Sequence, residues 1–349
     1  MIVSDVIVGL QHGDEGKGKV SYNMSYASKY DYCIRFNGGP NAGHTIITRN
    51  DAIIPNVKVV LHQIPCGILN NAQCIIGPGC VVDLDKLENE IEYLESLGFS
   101  NTRSNLRIAR NAHIITKEHI ELDTKNNSVG TTGCGIGPCY TDKYRRKGTR
   151  CIDQREVIES MNIEMIDCKT YFIKYLTSSP VTTVLFEGAQ GFNLDIDHGD
   201  YPYVTSSSCL VGMINNCGIP VTTLRNVIGT AKIYETYVGS KQFQLEGDID
   251  LDNLGKMGGE FGATTGRKRQ CNWFYMNNLI ESLAINGVNH LIINKCDIIR
   301  KLNIYRLYDT NNNLVDFANY TDLKEYIQTT VQHLFPTTLI TFSYSPTEI

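Results

Sequence analysis

The sequence contains no C-x-x-C pair, although it holds twelve cysteines. They are scattered, the nearest two being Cys134 and Cys139, so the ligand spacings of zinc and iron–sulfur sites are absent. Free thiols in a reducing cytoplasm are the simplest reading. There is no signal peptide before the first apolar run and no apolar stretch long enough to span a bilayer, so a cytoplasmic protein with no membrane partner is expected. Nor is there an excess of positive charge. The formal net charge of −5 argues against a broad nucleic-acid surface, leaving room only for local basic pockets. Internal repeats, low-complexity tracts and obvious linkers are missing as well. The 349 residues are therefore expected to fold as one domain, 1–349, with a sizeable core.

What is present is an alternation of strands and helices. A β-branched run at 5–10 ends in a glycine-rich turn, Gly13 to Gly18, and a helix is expected to follow. A second strand at 32–36 runs into Asn37-Gly38-Gly39-Pro40-Asn41-Ala42-Gly43-His44, which reads as a loop. Leu84, Leu87, Ile91, Leu94 and Leu97 recur at helical spacing, with Asp83 as N-cap and Gly98 as the stop. Further strands are predicted at 183–186, 227–233, 291–294 and 339–342. The pattern implies an α/β fold with a large, mostly parallel, doubly wound sheet flanked by helices. The stretch 154–179 is the least patterned and reads as a helical insertion.

Several short motifs carry chemistry. Gln11-His12-Gly13-Asp14-Glu15-Gly16-Lys17-Gly18-Lys19 follows a strand, an arrangement that offers backbone N–H groups at a helix N-terminus to phosphate. It is not a Walker A sequence, because Gln11 replaces the first glycine and Gly18 stands where Ser or Thr belongs. The bland alternative, a tight turn with solvated charges, fits poorly with two acids and two lysines among three glycines. The glycines around Asn41 and His44 let backbone approach a ligand closely. Gly130-Thr131-Thr132-Gly133 precedes the basic run Lys143 to Lys147, which suits a phosphoryl group, although Arg145 and Lys147 individually read as solvated. Gln190 sits on a turn after a strand and reads as a ligand contact, whereas Asp195, Asp197 and His198 lack metal-ligand spacing and read as structural. Gly262-Ala263-Thr264-Thr265-Gly266-Arg267-Lys268-Arg269 can grip a carboxylate through hydroxyls and guanidinium forks. Asn294-Lys295-Cys296-Asp297, after a strand, resembles the N-K-x-D element that reads guanine.

Taken together, in order and along nearly the whole chain, these motifs resemble adenylosuccinate synthetase. The resemblance implies a P-loop-NTPase-like fold, a homodimer, and a carbon–nitrogen ligase that joins L-aspartate to C6 of a 6-oxopurine nucleotide. A nucleoside triphosphate would phosphorylate the C6 oxygen first, and the aspartate amine would then displace phosphate. By this resemblance Asp14, His44 and Lys17 are catalytic. Asn41, Thr132, Gln190 and Thr205 hold the acceptor nucleotide, with Arg146 reaching its phosphate across a dimer interface. Thr265, Arg267 and Arg269 bind aspartate. Gly13, Glu15, Gly16, Lys17, Gly18, Lys295 and Asp297 bind the triphosphate, and Mg²⁺ is held by Asp14 and the carbonyl of Gly43.

The sequence also departs from the family pattern. It is short, His12 replaces a usual tryptophan, Pro40 a usual histidine and Cys134 a common arginine. The run 238–244 and the C-terminal Phe342-Ser343-Tyr344-Ser345-Pro346 are altered. Length and C-terminus resemble the short bacteriophage branch, whose acceptor is dGMP and whose donor can be ATP or dATP, so the acceptor expectation leans to dGMP, with location in the host cytoplasm if the source is viral. Retention of Asp14 points the other way, towards IMP with GTP. A guanine-nucleotide switch protein is the rival from another class, and the missing Walker A sequence counts against it.

Overall fold

The computed structural model describes residues 1–125, 129–176, 180–262 and 266–349. Nine strands form the central sheet: β1 (Ile2–Gly9), β2 (Tyr32–Arg35), β3 (Gln73–Ile76), β4 (Leu106–Ala109), β5 (Glu164–Ile166), β6 (Thr182–Glu187), β7 (Leu224–Lys232), β8 (His290–Asn294) and β9 (Leu339–Phe342). Their order is β9-β8-β7-β1-β6-β2-β3-β4-β5, and every pairing is parallel. Parallel sheets are covered on both faces, so their strands read as near-continuous apolar runs. Val6, Ile7 and Val8 of β1, Leu185 and Phe186 of β6, and Leu291, Ile292 and Ile293 of β8 are accordingly buried in one core cluster.

The amphipathic helix expected after Asp83 is α2 (Leu84–Ser96), following α1 (Lys17–Ser28). Its N-cap is Asp83, whose carboxylate accepts the Lys86 N–H at 3.0 Å, and Leu87, Ile91 and Leu94 face the core. Two expectations need correction. The stretch 154–179 is not a helical insertion. It contains helix Arg155–Ser160, the edge strand β5 and helix Cys168–Leu176, and β5 extends the main sheet through its pairing with β4. β5 is only three residues long and carries the charge of Glu164, which pairs with Arg107 at 2.7 Å, so no alternation marks it. The second correction is His44, which opens a short strand, His44–Ile47, paired antiparallel with Lys58–Leu61. All twelve cysteines are free and buried. Among the described residues no helix is long and apolar enough to cross a membrane.

In an open parallel sheet, ligands bind outside the carboxyl ends of the strands, where the winding reverses. β1 is an interior strand, flanked by β6 and β7. The segments following β1, β2, β6, β8 and β9 therefore meet above one edge of the sheet, and residues from all five line one cavity.

Candidate active site

The cavity has a volume of about 1150 Å³. Its floor is the turn after β1. Gly13, Asp14 and Gly16 have φ of 90°, 60° and 89°, and α1 starts at Lys17 with no side chain capping it, so the N–H groups of its first turn are left for a ligand. The Glu15 carboxylate turns inward and accepts from the N–H groups of Gln11 (3.1 Å) and Gly13 (2.8 Å) and from Lys17 Nζ (2.5 Å). Burial would raise its pKa, but Lys17 and these hydrogen bonds hold it below the usual carboxylate range. Glu15 thus fixes the loop from inside. Close packing explains Gly18, one of the two residues that depart from Walker A. A Cβ there would meet His44 Cβ at 2.5 Å, so the helix lies directly against the His44 strand.

His44 is buried in the cavity wall. Its Nδ1 lies 2.6 Å from Glu187 Oε1 at the end of β6. Glu187 also accepts from Arg35 Nη1 (2.8 Å), Ser21 Oγ (2.5 Å) and the Cys66 N–H (2.9 Å). Burial opposes the Glu187 charge, yet His44 and Arg35 hold it ionised, with a pKa of about 2. Burial, assisted by Arg35 and opposed by Glu187, lowers His44 to about 4. At neutral pH the ring is therefore uncharged with its proton on Nδ1, and Nε2 is left towards the cavity. Cys66 Sγ completes a His–Cys–Glu group whose ligand atoms lie within 4.8 Å of one another. The Arg35 guanidinium already neutralises that carboxylate.

The His44 shift carries a stability consequence with a definite sign. Below pH 6.5 the unfolded chain protonates this histidine, and the folded protein does so only near pH 4. The stabilisation from neutral His44 is therefore complete above 6.5 and is lost as the pH falls towards 4. Melting temperatures measured across that window should fall more steeply for the wild type than for His44→Gln. Parallel curves would show that the histidine is not held neutral.

The cavity also holds a second charged group. Asp14 Oδ2 is 2.7 Å from Arg269 Nε, and Arg269 Nη1 is 2.5 Å from Glu260 Oε2. Glu260 is buried and also faces Lys232 (3.5 Å), Lys295 (3.8 Å) and the Tyr234 hydroxyl (2.6 Å). Burial would raise its pKa, but the three cations bring it to about 2. One carboxylate thus links the Arg269 end of the cavity to the Lys295 end.

The structure gathers most of the residues singled out from sequence. Gly13, Asp14, Glu15, Gly16, Lys17, Gly18, Asn41, Gly43, His44, Thr132, Gln190, Thr205, Arg269, Lys295 and Asp297 all line the cavity. Asn41 Oδ1 and Gln190 Oε1 are buried with no hydrogen-bond partner, as expected of acceptors that await a ligand. Arg267 instead donates from Nη2 to the carbonyls of Gly130 (2.9 Å) and Thr131 (3.0 Å), tying the 130–133 loop to its own. Arg146 is exposed and away from the cavity, at φ 62°. Thr265 lies outside the described residues. Asp195 is structural, accepting from the N–H groups of Asp197, His198 and Cys209. Sequence reasoning gave no role to Arg35, Glu187 or Lys232. The signal was there: each is a charged residue closing a central, buried strand. It also passed over Lys19, whose buried ammonium binds Ser343 Oγ (2.7 Å) and the carbonyls of Ser345 (3.0 Å) and Glu348 (3.1 Å). Burial lowers Lys19 to about 8. These bonds hold the altered C-terminal run against α1, and Ser345 and Pro346 line the cavity beside Asp297.

Comparison with known proteins gives the family. The sequence model of the family described as "Adenylosuccinate synthetase" matches residues 6–160 and 153–334. The adenylosuccinate synthetase of Thermodesulfovibrio yellowstonii is 39% identical over 357 residues, covering 89% of this chain and 82% of that protein. That of Pelodictyon phaeoclathratiforme is 41% identical over 340 residues, covering 84% and 76%. Among solved structures, the fully ligated adenylosuccinate synthetase of Plasmodium falciparum superposes with a TM-score of 0.82 at 27% identity, covering 98% of this chain and 97% of that one. The cyanophage S-2L succinoaminodeoxyadenylate synthetase (PurZ), bound to dGMP and dATP, shares the fold, with a TM-score of 0.75 at 21% identity over 99% and 93% of the two chains. With the family model spanning most of its length, and relatives near two-fifths identity covering more than four-fifths of it, the chain belongs to the adenylosuccinate synthetase family and is a carbon–nitrogen ligase.

Proposed function

We propose that the protein joins L-aspartate to C6 of IMP, with GTP as phosphoryl donor, as a homodimer in the cytoplasm. The observation that carries the reading is a single cavity. It holds an acid–base carboxylate (Asp14), a carboxylate-bound histidine (His44), a lysine at a helix N-terminus (Lys17) and two buried amide oxygens without partners (Asn41, Gln190).

The residues divide the work as follows. Asp14 takes the N1 proton of the 6-oxopurine, and the C6 oxygen attacks the γ-phosphorus of GTP, whose bond to the β–γ bridging oxygen breaks so that GDP leaves with that electron pair. The incoming phosphates favour the imidazolium form of His44, whose Nε2–H then donates to the transferring phosphoryl group while Glu187 steadies the opposite nitrogen. Lys17 and the N–H groups of α1 offset the developing charge. Phosphorylation turns a poor leaving group into a good one, and the aspartate amine displaces phosphate from C6. Asn41, Thr132, Gln190 and Thr205 hold the acceptor, Arg267, Arg269 and Thr265 hold aspartate, and Arg146 serves the acceptor phosphate of a second copy. Lys295 and Asp297 read the donor base. Mg²⁺ suits hard oxygen donors, and the Asp14 carboxylate and the Gly43 carbonyl, both at the cavity, would hold it. When bound it supplies charge that offsets the phosphates.

The choice of acceptor rests on the balance of likeness. The altered C-terminal run 342–346 leans to dGMP. The relatives near 40% identity are adenylosuccinate synthetases, whereas likeness to the phage enzyme at 21% extends to the fold alone. That balance, with Asp14 retained, moves the proposal to IMP. A pocket shaped for IMP leaves the 2-amine of guanine without an acceptor, at a cost of ~1–3 kcal/mol. The test is phosphate release with aspartate, crossing IMP, GMP and dGMP against GTP, ATP and dATP. Fastest release is expected for IMP with GTP, and none without aspartate. Preferential use of dGMP would replace this acceptor with the phage one. Release that ignores aspartate would favour a nucleotide switch instead.

A further inference from the structure

Two lysines stand at the start of α1, and the reaction above uses only Lys17. An ammonium group has three N–H donors. Among the described residues Lys17 spends one of them, on Glu15. Lys19 spends all three, on Ser343 Oγ (2.7 Å) and on the carbonyls of Ser345 (3.0 Å) and Glu348 (3.1 Å), and it is buried. No donor is left for a phosphate, although Lys19 lies in the first turn of the helix whose N-terminus faces the cavity.

The run that Lys19 grips is folded around its ammonium. The Ser345 hydroxyl accepts from the N–H groups of Thr347 (3.1 Å) and Glu348 (3.3 Å). Ser343 Oγ donates to the Glu348 carbonyl (2.8 Å), and Asn23, one turn further along α1, donates to the Thr347 carbonyl (2.8 Å). On its other side the run is fixed to the segment that carries Asp297. The Ser343 N–H donates to the Ile293 carbonyl (2.8 Å), and the Ser343 carbonyl accepts from the Cys296 N–H (3.1 Å). Ser345 and Pro346 reach the cavity, which Lys295, Asp297 and Ile298 also line. Residues 343–349 belong to no helix or strand, so these side-chain bonds supply the order that regular structure does not.

We infer that Lys19 is a positioning residue for the donor base. It fastens Ser345 and Pro346 to the cavity wall beside Asp297, so that a purine base carried on a triphosphate meets a surface ordered in advance. It takes no part in holding the phosphates. Ordering a loop at the moment of binding costs affinity, and Lys19 removes that cost. A wall held in one position also discriminates between bases, because a loop free to move adapts to either.

The inference rests on the ligase reading with its purine triphosphate donor, and the experiment separates the two. Lys19→Met keeps the buried stem and removes the ammonium. Equilibrium binding of GTP should weaken ~10-fold, while binding of inorganic triphosphate, which has no base, should be unchanged. In steady-state kinetics the KM for GTP should rise and the preference for GTP over ATP should narrow. The kcat and the KM values for IMP and aspartate should stay near those of the wild type. Asn23→Ala frees the Thr347 carbonyl and leaves Lys19 in place. It should show the same pattern to a smaller degree, and it decides the matter if Lys19→Met does not fold. Inorganic triphosphate weakened as much as GTP would make Lys19 a phosphate ligand and overturn the inference, as would wild-type affinity for GTP in either variant. Failure of the wild type to release phosphate in response to aspartate overturns the ligase reading itself, while the two binding measurements still judge Lys19.

Discussion

Asp14→Asn should fold normally and turn over ~10²-fold or more slowly, the range lost with an acid–base group. Asparagine is the informative replacement. Asp14 sits at φ 60°, a conformation that Asn and Asp tolerate and that alanine adopts at a cost. Asparagine therefore keeps the shape of the loop and removes only the charge and the basicity. Arg269 loses one partner but keeps Glu260 at 2.5 Å, so no buried cation is stranded and the melting temperature should change little. His44→Ala should show a loss of similar size for a different reason: it removes the donor to the transferring phosphoryl group. Steady-state turnover beside a melting curve checks both variants. Near-normal turnover in either one removes that residue from the mechanism.

How much of this was legible in the sequence depends on how local the signal was. The glycine-rich turn after β1, α2 with its Asp83 cap, and the central strands were readable because glycine spacing, helical periodicity and apolar runs are local patterns. The parallel order followed from strands alternating with helices. β5 was missed because a three-residue edge strand with a charged first residue has no periodicity to show. The site was legible as a set of motifs and illegible as a set of pairs. Nothing local connects His44 to Glu187, 143 positions away, or His12 to Glu235, 223 positions away. Parallel topology brings them together, because it delivers the ends of β1, β2, β6 and β7 to the same edge. Arg267 shows the converse. Its place in a basic triplet suggested a grip on a ligand, whereas in the structure it ties down the Gly130–Thr131 carbonyls. A basic side chain near a glycine-rich loop can serve either purpose, and the sequence does not say which.

The pairing of His44 with Glu187 makes the second large prediction. Glu187→Gln keeps the size of the side chain and removes its charge. The amide can donate to Nδ1, which reverses the neutral tautomer and removes the carboxylate that would stabilise the imidazolium. Turnover should fall ~10²-fold or more. The same change strands the Arg35 guanidinium, which is 1% exposed, without its anion, and breaking a buried pair from one side costs ~3–5 kcal/mol. Activity and stability would thus fall together, and the single variant could not tell a positioning role from a folding one. Arg35→Met added to Glu187→Gln separates them. Removing both charges should restore much of the melting temperature, since a buried pair replaced on both sides is often near neutral. Turnover should stay low, because His44 still lacks its carboxylate. Recovery of turnover in step with stability in the double variant would mean that Glu187 only holds the fold, and that His44 works without it.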